Sequence, residues 1–266
     1  MDLELSGKCA IVTGGSRGIG KAVARELAAE GAMVVLASRT PDVLQTAAAE
    51  LTQETGSRVI GIPCDTASDA SVRQMVERAA SELGGIDVLV NSAAQPGGQA
   101  PPPKLADIDD EVFWPDVNVK VMGYLRCIRE VVPHMVRRGG GRVVNVSGLA
   151  ARSTGSTVGS MRNVAVAAMT KNLADELGPQ GISLVVVHPA LTRTERTPGV
   201  IAAQAARLGV SEEEVERRMN RTNVLGRLLD AREVARVVAF LASPVAIAIN
   251  GDAVVAGGGM PGSIHY

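Results

Sequence analysis

Thr13-Gly14-Gly15-Ser16-Arg17-Gly18-Ile19-Gly20 carries the clearest chemistry in the 266-residue chain. It follows an apolar run, Lys8 to Thr13, and opens a stretch of helical apolar spacing, Ile19 to Ala29. Glycines permit a tight turn and let the backbone approach a pyrophosphate closely, and the unbonded N–H groups of a helix start bind phosphate oxygens. Strand before and helix after point to a dinucleotide turn; the competing reading is a simple tight turn. The end of the next apolar run, Met33 to Ala37, selects the nucleotide. An Asp there would bond a ribose 2′-hydroxyl and repel a 2′-phosphate. The chain has Ser38-Arg39 instead, and Arg17 in the glycine turn can reach the same phosphate. Two arginines and no acid point to NADP(H). A solvated surface role for Arg39 is the alternative.

The elements that must hold this turn alternate along the chain. Asp42 to Gln53 and Ser71 to Leu83 have helical spacing. Arg58 to Ile62, Ile86 to Val90, Arg142 to Val146 and Ile182 to Val187 are short apolar runs. Alternation of this kind predicts right-handed crossovers and a doubly wound parallel sheet. The strands are apolar throughout, as expected when both faces are covered. Residues 1–266 read as one dinucleotide-binding domain. Gln95 to Pro103 reads as a surface loop, and residues 193–223 as a charged insertion with Ser211 capping a helix.

Composition narrows the function. A formal net charge of −1 argues against nucleic acid, and aromatics at 2% leave no stacking platform. Cys9, Cys64 and Cys127 lie far apart, without metal spacing, and read as reduced core thiols; no metal is expected. The acidic Met1-Asp2-Leu3-Glu4 start and the absence of a run of ~18 apolar residues indicate a cytoplasmic protein without a membrane role.

These residues resemble the short-chain dehydrogenases/reductases, from Leu5 to Gly259. Besides the glycine turn, Cys64-Asp65 matches the place where an Asp holds the adenine amino group. Asn91-Ser92-Ala93-Ala94 is similar to the family's N-N-A-G segment. Pro189 to Thr194 resembles P-G-x-x-x-T, which would place Pro189, Thr192 and Thr194 at the nicotinamide amide. Leu225-Gly226-Arg227-Leu228, Glu233-Val234-Ala235 and Phe240-Leu241-Ala242-Ser243 match the C-terminal pattern. The resemblance implies a Rossmann-like sheet of about seven strands, order 3-2-1-4-5-6-7, with helices on both faces. It also implies a homotetramer or homodimer assembled through the helices after strands four and five and the C-terminal strand. The implied activity is hydride transfer to or from a small carbonyl or alcohol, using an Asn, a Ser, a Tyr and a Lys.

That catalytic set is altered. Counting back from Ala165-Val166-Ala167-Ala168-Met169 puts Gly159 at the Tyr position and Asn163 at the Lys position. The Ser position falls on Gly148, with Ser147 one place early. An ungapped count back from Pro133 puts Lys120 at the Asn position; Asn118 requires a two-residue insertion. Lys120, Ser147 and Asn163 are therefore the candidate catalytic residues. A buried lysine near a nicotinamide loses basicity and can act as a general acid; the competing reading is a lysine that merely bonds a backbone carbonyl or a cofactor hydroxyl. Ser160, Arg162 and His188 are weaker donors, Tyr124 reads as an interface residue, and His134 and His265 as surface or terminal residues. Three functions stay open: an NADP(H)-dependent oxidoreductase with a non-standard proton donor, a catalytically silent NADP(H) sensor or partner subunit of an active relative, and a lyase or isomerase. The charges of the insertion (Arg193, Glu195, Arg196, Arg207, Arg217, Arg218, Arg221) suit either an acidic thioester substrate or an ordinary exposed helix.

Overall fold

The computed structural model describes residues 1–95, 100–262 and 264. Part of the loop expected over Gln95 to Pro103, and His265, therefore lie outside the described residues. The chain alternates β1 (Cys9–Thr13), α1 (Gly18–Ala29), β2 (Met33–Ser38), α2 (Pro41–Thr55), β3 (Val59–Pro63), α3 (Asp69–Leu83) and β4 (Val88–Asn91). The second half adds α4 (Asp110–Val117), a π turn (Asn118–Met122), α5 (Gly123–Arg137), β5 (Gly141–Val146), α6 (Thr157–Leu177) and β6 (Ile182–Pro189). It closes with β7 (Thr192–Arg193), α7 (Thr197–Leu208), α8 (Glu212–Asn220), β8 (Leu229–Asp230), α9 (Ala231–Ala242) and β9 (Ala253–Ala256).

Seven strands form one parallel sheet in the order β3-β2-β1-β4-β5-β6-β9. This is the doubly wound, Rossmann-like architecture expected. The seventh strand of the sheet is ninth in the chain because β7 and β8 pair only with each other. Side chains alternate across the sheet. Ala10 and Val12 of β1 pack with Leu27, Leu44 and Val238, from α1, α2 and α9. Cys9 and Ile11 pack with Val76, Ile128 and Leu177, from α3, α5 and α6. Both faces are thus covered, which is why the strands read as continuous apolar runs.

The crossing between halves, next to β1, opens the crevice where ligands of such sheets bind. Thr13 at the end of β1 fixes it: its Oγ1 accepts from the N–H groups of Ser92 (3.1 Å) and Ala93 (3.3 Å). A buried polar chain continues across the sheet. Asn91 Nδ2 donates to Asn145 Oδ1, and Asn145 Nδ2 donates to Thr170 Oγ1, both at 2.9 Å. Ser211 caps α8 as expected, accepting from Glu214 N–H at 3.3 Å. Ile201, Ala205, Val215 and Met219 of the insertion form a small separate core with Leu228, just beyond it.

One expectation needs correction. Tyr124 is not at an interface: it is fully buried against Val166 and Val186, and its hydroxyl donates to Val146 O at 2.9 Å. Burial raises its pKa, and its hydroxyl is committed to that carbonyl.

Candidate functional site

A cleft of about 490 Å³ opens at the carboxyl ends of β1, β2 and β4. Gly14, Ser16, Arg17, Gly18, Ser38, Arg39, Cys64, Asp65, Ala93 and Thr194 all line it. Ile19, Gly20, Asn91, Pro189 and Thr192, also expected at the cofactor, do not line it. Gly20 is there for closeness: a Cβ on it would lie 2.3 Å from the carbonyl oxygen of Gly14, and one on Gly14 would lie 2.9 Å from Ser92 O. Gly14 also has φ +66°, which a side chain would strain. Gly20→Ala is therefore expected to cost about 1–3 kcal/mol in stability, read as a lowered Tm, and to abolish dinucleotide binding.

The cleft suits a phosphorylated dinucleotide. Ser38 Oγ is sealed from solvent and has no hydrogen-bond partner, beside the exposed guanidinium of Arg39. Arg17, Arg39 and Arg196 make no ion pair among the described residues. Cys64 beneath them is inert, its thiol pushed up to about 11 by burial. A second cleft, about 530 Å³, continues past Arg39 and Asp65 to Trp114, Asn118 and Met122.

The three candidate catalytic residues come together at the end of β5. The π turn directs Lys120 inward, where it is 5% exposed and its Nζ donates to Ser147 O at 2.8 Å. Ser147 Oγ donates to the backbone oxygen of Asn163 at 3.1 Å, tying β5 to α6. Asn163 is 2% exposed, and its Oδ1 has no partner. Asn118 stays outside, in the second cleft, with its carbonyl accepting from Arg126. Burial lowers the Lys120 ammonium to about 7, and the nearby Arg162 cation adds to the shift. Asp116 opposes it, and holds Arg162 with both carboxylate oxygens.

A family description, "Enoyl-(Acyl carrier protein) reductase", matches residues 14–261. The short-chain reductase protein NovJ of Streptomyces niveus is 37% identical over 254 residues, covering 95% of this chain and 93% of that protein. This chain belongs to the short-chain dehydrogenase/reductase family. L-Sorbose reductase from Gluconobacter frateurii, solved with NADPH and L-sorbose, superposes with a TM-score of 0.93 at 29% identity, covering 99% of this chain and 100% of that one. A 7α-hydroxysteroid dehydrogenase solved with NADH and 7-oxo glycochenodeoxycholic acid superposes with a TM-score of 0.85 at 28% identity, covering 99% and 98%.

The glycines at two of the candidate positions fit their neighbours closely. A Cβ at Gly148 would lie 3.1 Å from Asn163 Nδ2, so the glycine makes room for the amide. A Cβ at Gly159 would lie 2.7 Å from Ser156 Oγ, the hydroxyl that caps α6 by accepting from Gly159 N–H. Of the weaker donors, Ser160 Oγ donates to Ser153 O, and His188 is buried in β6. Three of the insertion's arginines pair within it: Arg193 with Glu216, and Arg217 and Arg218 with Glu214. That is how an exposed helix behaves. Among the described residues no cluster of His, Cys, Asp or Glu could hold a metal, and no helix is long and apolar enough to cross a membrane. Sequence reasoning missed the ion pair between Asp116 and Arg162, which lie 46 residues apart. Their separation left no local signal.

Proposed function

We propose that this protein is an NADP(H)-dependent oxidoreductase acting on a small carbonyl or alcohol, with Lys120 in place of the usual tyrosine as proton donor. One observation carries the reading: a buried lysine, lowered to about 7, sits on the Ser147 carbonyl beside Asn163, whose Oδ1 has no partner. The bound dinucleotide supplies or accepts hydride. Lys120 gives a proton to the substrate oxygen during reduction and takes one during oxidation. A pKa near the working pH serves both directions. Ser147 positions Lys120 through its carbonyl, and Asn163 offers an amide at the family's lysine position. Arg39, Arg17 and the orphaned Ser38 hydroxyl favour a 2′-phosphate. On this reading residues 1–266 act as one cytoplasmic domain, with residues 193–223 closing over substrate. Exposed Met161 and Val164 on α6, and Val136 on α5, suit assembly into a homodimer or homotetramer.

A second reading has its own support. Gly148 and Gly159 bring no side chain to the site, and Lys120 already bonds a carbonyl; a dinucleotide-binding partner subunit without turnover would look the same. NADPH absorbance, followed with 3-ketoacyl thioesters, diketones, quinones, ketosteroids and ketoses, separates the two. Turnover is expected with at least one carbonyl class. Tight NADPH binding with none reduced would transfer the lead to the silent subunit.

A further inference from the structure

The first N–H of α1, that of Gly18, donates to both carboxylate oxygens of Glu195, at 3.0 and 3.2 Å. The two residues are 177 positions apart. Helices α3, α6 and α8 begin with a serine hydroxyl accepting from their first turn, and α9 begins with a capping box on Asp230. Helix α1 has no such cap, because its N-cap residue, Arg17, makes no side-chain bond to it. Its cap comes instead from the segment that follows β7.

That segment is held in shape for the task. Thr194 N–H donates to Thr197 Oγ1 at 2.8 Å, Thr194 Oγ1 accepts from Arg196 N–H at 3.3 Å, and the Thr194 methyl lies 3.6 Å from where a Cβ of Gly18 would be. Glu195 has basic neighbours it could have chosen. Lys21, Arg25 and Arg232 line the same groove, but they pair with Glu50, Glu54 and Glu26. The carboxylate goes to the helix terminus, where backbone donors and the helix dipole favour an anion.

We infer that Glu195 is an internal occupant of the phosphate cradle, a carboxylate that a dinucleotide must displace from Gly18 before it can bind. The inference rests on the reading of this cleft as a dinucleotide site. Two anions cannot share the Gly18 N–H, and a carboxylate left beside a pyrophosphate would repel it. Glu195 is exposed, so it returns to water at little cost and the displacement is reversible. Unpaired Arg17 and Arg196 flank the position, and they favour the more highly charged phosphate over the carboxylate. Glu195 therefore lowers cofactor affinity, and brings the segment leading to α7 back to the cradle whenever the cofactor leaves.

The test titrates NADPH into the full-length wild type, Glu195→Gln and Glu195→Ala, and reads the dissociation constant from the fluorescence of bound nucleotide. Both variants are expected to bind NADPH about two- to fivefold more tightly, the range for one charge at a helix terminus. Without nucleotide, hydrogen exchange at the Gly18 amide is expected to be faster in Glu195→Ala than in wild type. Unchanged or weaker NADPH binding in both variants, against a wild type that binds, overturns the inference and leaves the cofactor reading standing. If no form binds NADPH or NADH, the cofactor reading falls and the inference falls with it.

Discussion

Lys120→Met is expected to lower turnover by about 10²–10⁴-fold while leaving NADPH affinity within about twofold, the usual cost of deleting a general acid. Lys120 is buried and does not line the dinucleotide cleft, so binding has no reason to change. The pH dependence carries the sharper signature. Reduction needs the ammonium, so its rate should be flat below pH 7 and fall as pH rises through about 7; oxidation should show the reverse. Both limbs should vanish in the variant. Folding stability should move the other way. The native pKa is lowered to about 7 from an ordinary 10.5, so between those values the unfolded chain binds the extra proton. Stability of the wild type therefore rises with pH across that window, and is lowest below it. Methionine removes the buried charge but strands the Ser147 carbonyl. The net expectation at pH 7 is a gain of about 1–3 kcal/mol, read by urea titration. A variant that kept full turnover and an unchanged pH profile would remove Lys120 from the chemistry.

The second large effect concerns cofactor choice. Arg39→Asp should weaken NADPH binding by about 10–100-fold and leave NADH binding unchanged or improved. Arg39 lines the cleft at the end of β2 without a partner of its own, next to the orphaned Ser38 hydroxyl. Losing a charge-assisted bond to a 2′-phosphate costs about 1.5–3 kcal/mol, and an aspartate there would accept from a ribose hydroxyl. The structural neighbours make this worth measuring, because they include proteins solved with NADPH and with NADH. Equal loss for both nucleotides would show that Arg39 reads the shared part of the molecule. No loss for either would make it a surface residue.

Much of the fold was legible because periodicity and glycine placement are local. Strands Cys9–Thr13 and Met33–Ser38 and helix Gly18–Ala29 lie within a residue of where apolar runs placed them. Apolar patterning did not pick out the strand Ala253–Ala256, short and only half-buried along most of its length; only the family resemblance implied a C-terminal strand. At the site, counting against the family's motifs singled out Lys120, Ser147 and Asn163 as candidates but could not reveal how they meet. The fit of Gly148 to Asn163 depends on a 3.1 Å approach between two elements. Tyr124 was misplaced because apolar helical spacing looks the same whether a face meets a partner or the protein's own core. The reach of Glu195 to Gly18 spans most of the chain, so no window of sequence contains it.

The π turn at Asn118–Met122 makes this site sensitive to chain length as well as to residue identity. A π turn holds one more residue than an α turn, and each residue of an α-helix advances the side-chain direction by about 100°. Lys120 belongs to the wide turn, while Asp116, which holds Arg162, lies on α4 before it. Deleting Val119 would let α4 and α5 run on as one regular helix. Lys120 would keep its register with α5, but Asp116 would swing by about a quarter of a turn and release Arg162. A one-residue deletion could thus strip the charge setting from the lysine without changing any residue that touches it. The inserted residue acts as a spacer, holding two helical registers out of phase so that an acid and a base on the same rod face the same small volume.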